Sequence, residues 1–188
     1  PCFTTDNRTI NNNPYSQDGK KLDPDYAERM DRLIKAADSL GMVVIVSFFY
    51  GDQARRLKSG KAVINAVKTA SRFLKKNGYT NVIIEVANEH NIGAFRDHLL
   101  IKTAEGISSL IDIARRESGG LAVGSSGGGG YINREVAQAS DVILIHGNSQ
   151  SRQRLYNMVQ KLRKWQPGKP IVCNEDSQAI GQLQVAYE

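Results

Sequence analysis

Apolar positions along the chain fall into two rhythms. Residues 22–41, LDPDYAERMDRLIKAADSLG, place Met30, Leu33, Ile34, Ala37 and Leu40 at steps of three and four. That spacing predicts a helix with this face buried. Asp23 is positioned to cap it, Pro24 stands at its first turn and Gly41 supplies the stop. The run MVVIVSFFYG that follows reads as a strand. Ser59 then opens a second helix whose apolar face carries Val63, Ala66, Val67, Ala70, Phe73 and Leu74, and Asn77-Gly78 ends it.

The alternation continues to the end of the chain. Strand Val82–Ala87 leads to a helix bearing Leu99, Leu100, Thr103, Ile107, Leu110, Ile111 and Ala114. A short strand, LAVGSS, gives way to a Gly-rich loop and a brief helix at Arg134–Ala139. Strand DVILIHG precedes a helix with Leu155, Met158, Val159, Leu162 and Trp165, and strand KPIVCNE closes the series. Nearly unbroken apolar strands joined by helices predict a parallel sheet covered on both faces. A doubly wound open sheet and a stretch of a (β/α)8 barrel both satisfy this pattern.

At 188 residues the chain is long enough for one core. Its composition, 40% hydrophobic and 23% charged, is that of a globular protein, and no run approaches the length needed to span a bilayer. The net charge of +6 is spread along helix-like segments such as RRLKSGK, RFLKKNG and QKLRKW, as on a solvated face. Only 7% of residues are aromatic, which argues against a nucleic-acid groove. Cys2 and Cys173 lie too far apart for a zinc motif, and Cys173 reads as a small core residue.

In either architecture ligands meet the carboxyl ends of the strands. Here those ends read Ser47 to Tyr50, Asn88-Glu89-His90, Ser125-Ser126, His146-Gly147-Asn148 and Asn174-Glu175-Asp176. Two glutamates, Glu89 and Glu175, each follow an Asn at the end of a buried strand. Glycosidic cleavage needs two carboxyl groups flanking one bond, one to protonate the leaving oxygen and one to attack the anomeric carbon or activate water.

The stretch VIIEVANEHN resembles the fourth-strand signature of the clan of retaining (β/α)8 glycoside hydrolases, cellulase- and mannanase-like, where Asn-Glu supplies the acid/base. KPIVCNED resembles that clan's seventh strand, which ends in the nucleophile. Two other strands separate them, as the clan's order requires, and ILIHGN falls in the sixth position. The resemblance implies a partial (β/α)8 barrel covering about strands three to seven, with strands one, two and eight missing. It implies a single catalytic-domain fragment over 1–188, with 1–21 as the loop after strand two and 22–188 as units three to seven.

The roles follow from the resemblance. Glu89 is implied as acid/base and Glu175 as nucleophile of a double displacement on a β-linked poly- or oligosaccharide. Asn88 is implied to hold the sugar 2-hydroxyl and His146 to sit near Glu175. Asn148 stands where many relatives have Tyr, and His90 where many have Pro. Tyr50 is a candidate for stacking on a sugar, and Asn174 adjoins the nucleophile. Glu85 reads as an interior carboxylate paired with a basic residue. No metal or organic cofactor is implied. The partner is a carbohydrate, with neither nucleic acid nor membrane, and oligomeric state is left open.

Two rivals stand beside this reading. The loop GSSGGGG, residues 124–130, has the form of a phosphate cradle after a strand, which would make the chain a nucleotide- or phosphate-binding open-sheet domain. It lacks the Gly-Lys-Ser/Thr of a P-loop. The second rival is a carbohydrate-binding barrel that has lost catalysis. A five-stranded piece would expose both edges, so the natural protein is expected to be longer, and activity of the piece alone is left open. The compartment is also open. Asn7 in Asn-Arg-Thr is a glycosylation sequon only in a secreted eukaryotic protein, and polysaccharide degraders are often secreted or periplasmic.

Overall fold

The computed structural model describes residues 13–177 together with Gln182, Leu183 and Val185. Residues 1–12, which carry Cys2, the Asn7 sequon and most of the expected leading loop, lie outside the described residues. The elements run α1 (Pro24–Ser39), β1 (Val44–Tyr50), α2 (Gly60–Lys76), β2 (Val82–Asn88), α3 (Leu99–Lys102), α4 (Ala104–Ser118), β3 (Ala122–Gly124), α5 (Arg134–Ala139), β4 (Ile143–His146), α6 (Arg152–Trp165) and β5 (Ile171–Glu175). All five expected strands are present and every ladder is parallel.

Side-chain caps set most helix starts. Asp23 accepts from the Tyr26 N–H, Ser59 from Ala62, Thr103 from Gly106, Asn133 from Glu135 and Val136, and Ser151 from Arg154. Each meets amide donors that the first helical turn leaves unpaired. Thr103 also breaks the single helix expected after the second strand. Its backbone is extended at φ −86°, ψ 151°, so α3 ends there and α4 begins. A Cβ on Gly106 would stand 2.7 Å from the Leu100 backbone, so the two helices meet at a contact only glycine permits. Leu99 is consequently exposed.

The expected apolar face of α1 is buried only in part. Ile34 is fully enclosed, whereas Leu33 and Leu40 are 50% and 74% exposed. By contrast Val63, Ala66, Val67, Ala70 and Leu74 of α2 all pack inward, and with Ile107, Leu110, Ile111 and Ala114 of α4 they cover the helix-facing side of β1 and β2. A second apolar cluster, with Leu155, Met158 and Leu162 of α6, covers Ile143 and Ile145 of β4.

The barrel expectation is overturned by the sheet itself. The described residues form a three-stranded sheet in the order β1-β2-β3 and a separate two-stranded sheet, β4-β5, with no closed barrel. The reason is local. β3 is only three residues long, and Asp141 occupies the edge where β4 would pair. The Asp141 carboxylate accepts from the Val123 N–H at 3.1 Å, and the Asp141 N–H donates to the Val123 carbonyl at 2.8 Å. A side chain therefore ends the ladder. Arg115 secures it with Nε 3.0 Å from both Asp141 oxygens, and Lys169 Nζ ties the end of α5 beneath by donating to the Ala137 and Ser140 carbonyls.

Candidate active site

β2 is buried along its length and ends at Asn88, and the chain then turns sharply. Glu89 takes a left-handed backbone at φ 55°, a conformation that costs a non-glycine residue about 1–2 kcal/mol. Ser126 holds it there. Its Oγ accepts from the Glu89 N–H at 3.0 Å, and its carbonyl accepts from the His90 N–H at 3.0 Å. Ser126 is itself fully buried. The strand-end Ser125-Ser126 pair was visible in the sequence, but nothing there marked Ser126 as the residue that fixes the turn.

β4 delivers His146, whose side chain is completely buried. Its Nδ1 lies 3.1 Å from Glu89 Oε1 and 3.9 Å from Glu175 Oε2. β5 delivers Glu175, whose side chain is 44% exposed. Asn88 Nδ2 donates to Glu175 Oε2 at 3.4 Å, and Asn148 Nδ2 donates to Glu175 Oε1. Glu89, His146 and Glu175 each place one polar atom within 4.8 Å of the other two. Residues drawn from two separate sheets thus converge on one spot.

Of the remaining candidates, Tyr50 ends β1 beside Asn88 in register and is half-exposed. His90 and Asn174 point elsewhere. The His90 ring is 1% exposed and meets Tyr131 edge-on at 5.6 Å between centroids. Burial pushes its pKa below the ordinary imidazole value, against the opposing pull of the Lys102 and Ile101 backbone. It lines a small cavity with Ser125, Tyr131 and Val136. Asn174 Nδ2 donates to Glu85 Oε1 at 3.2 Å.

Glu85 differs from its expected role. It is buried, and its partners among the described residues are neutral: Asn174 on one oxygen and Ser47 Oγ at 2.8 Å on the other. No basic residue stands among them. Two neutral donors reach it because Ser47 is its register partner on β1 and Asn174 arrives from the other sheet. Cys173 is likewise only half-buried, a free thiol lining a cavity beside Ile145 and Leu155.

The Gly-rich loop is packed against this site. The Gly128 N–H donates to Asn91 Oδ1 at 2.8 Å, and the Gly130 N–H donates to the His146 carbonyl at 3.2 Å. A Cβ on Gly129 would overlap the Asn148 carbonyl, and one on Gly130, at φ 76°, would strike the Gln150 side chain. Its glycines admit neighbouring chain, and the Gly128 and Gly130 amides are already engaged.

One solved structure that the chain resembles comes from Bacteroides vulgatus ATCC 8482 and is described as a "putative glycoside hydrolase". The TM-score is 0.61 at 16% identity, over 84% of this chain and 30% of that one. The shared property is the fold. The chain spans under a third of that protein's length. No family model and no curated protein matches the chain.

Proposed function

We propose that this chain is the catalytic part of a glycoside hydrolase that cleaves β-linked poly- or oligosaccharides with retention of configuration. The observation that carries the reading is the approach of Glu89 and Glu175, one oxygen of each within 4.8 Å of the other. Retaining enzymes hold their two carboxyl groups about 5–5.5 Å apart, whereas inverting enzymes leave room for a water at about 6.5–9.5 Å. The fold shared with a protein described as a "putative glycoside hydrolase" supports the same class.

In this reading Glu175, the more exposed carboxylate, attacks the anomeric carbon and forms a glycosyl ester. Glu89 protonates the departing oxygen, then takes a proton from the water that hydrolyses the ester. Asn148 and Asn88 orient Glu175 through its two oxygens. On sugar binding Asn88, whose 3.4 Å contact is long, turns to the 2-hydroxyl. Tyr50, half-exposed at the adjacent strand end, offers a face to a sugar ring. Residues 1–188 are a single catalytic-domain fragment, and the partner is carbohydrate. Among the described residues no helix is long and apolar enough to cross a membrane.

The test is hydrolysis of aryl β-glycosides and of a panel of β-glucan, mannan and xylan, followed by proton NMR of the first anomer released. Glu175→Ala is expected to abolish turnover and azide to restore part of it with inverted product. Glu89→Ala is expected to lower the rate about 10²–10⁴-fold. An unaltered rate in Glu175→Ala overturns the nucleophile, and a first product of inverted configuration from the unaltered protein overturns retention.

A further inference from the structure

We propose that the Glu89–His146–Glu175 cluster is also a binding site for a first-row divalent metal ion, of which Zn²⁺ is the natural probe, and that such an ion acts as a reversible competitor of substrate. Only the word competitor rests on the glycosidase reading. The binding site stands on the geometry. It goes beyond the sequence, which implied no metal.

Zn²⁺ binds imidazole nitrogen and carboxylate oxygen at about 2.0–2.2 Å, which places ligand atoms on one tetrahedral ion roughly 3–3.5 Å apart. His146 Nδ1 and Glu89 Oε1 stand at 3.1 Å, already within that range. His146 Nδ1 and Glu175 Oε2, at 3.9 Å, are slightly wide. Glu175 lies at the exposed end of its strand, and a change in its side-chain torsions closes the gap. The fourth position opens to solvent on the Glu175 side, as in sites where zinc keeps a water.

His146 makes this more than a pair of facing acids. Its side chain is wholly enclosed, so the ring cannot swing out, and its Nδ1 is aimed at both carboxylates. The other partners of the carboxylates are the amides of Asn88 and Asn148. A dication therefore meets two carboxylates that, among the described residues, accept hydrogen bonds from the Asn88 and Asn148 amides and face the His146 ring. One nitrogen and two oxygens also select among ions. Imidazole favours zinc and its neighbours over Mg²⁺ and Ca²⁺, which prefer all-oxygen sites.

The same ring explains why the ion comes and goes. A metal on Nδ1 leaves the ring proton on Nε2, and His146 Nε2 is buried with no hydrogen-bond partner among the described residues. Metal-bound histidines ordinarily donate that proton to an acceptor, and lack of one weakens affinity about 10–100-fold. The site is built to capture a metal but not to retain it.

The experiment is calorimetric titration of the chelator-washed protein with Zn²⁺, repeated with Co²⁺ while its visible absorption is recorded. One saturable site is expected, with the Co²⁺ bands of a tetrahedral nitrogen–oxygen centre. His146→Gln and Glu175→Gln should each weaken binding at least about tenfold, whereas the surface variant Glu117→Gln leaves it unchanged. Glu175 is exposed, so its variant remains informative should His146→Gln fail to fold. Absence of saturable binding at millimolar Zn²⁺, or binding indifferent to both variants, overturns the site. Glycoside hydrolysis is assayed separately in chelator. Metal binding without hydrolysis by the full-length protein sinks the glycosidase reading alone, and hydrolysis without metal binding sinks the metal site alone.

Discussion

His146 Nδ1 lies 3.1 Å from Glu89 Oε1, joining residues 57 positions apart and two different sheets. Among the described residues His146 Nε2 has no partner, and an unmet lone pair costs less than an unmet N–H. That favours the tautomer with the ring proton on Nδ1, donated to Glu89. Removing a hydrogen bond to a charged group costs about 1.5–3 kcal/mol, which is roughly a 10–100-fold loss of rate when the contact is used in the transition state. His146→Ala is predicted to lower kcat by that factor. His146→Asn sets an amide N–H near the Nδ1 position and should retain more of the rate. Equal loss in both variants, measured on an aryl glycoside, would show that the donor is irrelevant.

The turn at Glu89 holds a non-glycine residue in a left-handed backbone, which is strained. Asn tolerates a left-handed backbone better than Glu does. Glu89→Asn is thus expected to raise unfolding stability by about 1 kcal/mol while removing the proposed acid/base. Ser126→Ala should do the reverse, losing about 1 kcal/mol by leaving the Glu89 N–H without its acceptor. Urea denaturation of the two variants checks both signs.

Glu85 is the interior strut between the sheets, because Ser47 comes from β1 and Asn174 from β5. Glu85→Gln keeps one acceptor oxygen and is expected to cost little. Glu85→Ala strands two donors and should cost about 1–3 kcal/mol. It also frees Asn174, the neighbour of Glu175, so KM for a substrate in contact with Glu175 is expected to rise. A Glu85→Ala protein as stable as the unaltered one removes the strut.

Acid stability carries a second signature, far from the site. The Tyr79 hydroxyl donates to Asp31, and with Lys35 it holds the Asp31 carboxyl below its ordinary value of 3.8. A depressed carboxyl stabilises the fold fully above pH 3.8, and that contribution disappears as pH falls through the lowered value. Tyr79→Phe should therefore destabilise the protein near neutrality and flatten its loss of stability below pH 3.8. Thermal melts from pH 2 to 6 on both proteins test this, and parallel curves would refute it.

Much of this molecule is written in local pattern. The alternation of strands and helices, the capping residues Asp23 and Ser59 and the two strand-terminal glutamates are all legible from neighbours along the chain, because periodicity and capping are short-range effects. The roles proposed for Glu89 and Glu175 rest on motif and strand order, which are also local.

Tertiary structure decided what local pattern cannot carry. It divided the strands into two sheets, since Asp141 occupies the edge of β3 through a contact that periodicity does not encode. It turned His90 into the interior and Asn174 toward Glu85, since each side chain follows the partner that satisfies its polar atoms or covers its ring. It exposed Leu33 and Leu40 on a helix whose sequence reads as amphipathic, because burial needs a packing neighbour as well as an apolar face. The chain by itself determined which chemical groups stand at the strand ends. Only long-range packing decided which of them meet, because a hydrogen bond across 57 residues is chosen by the fold as a whole.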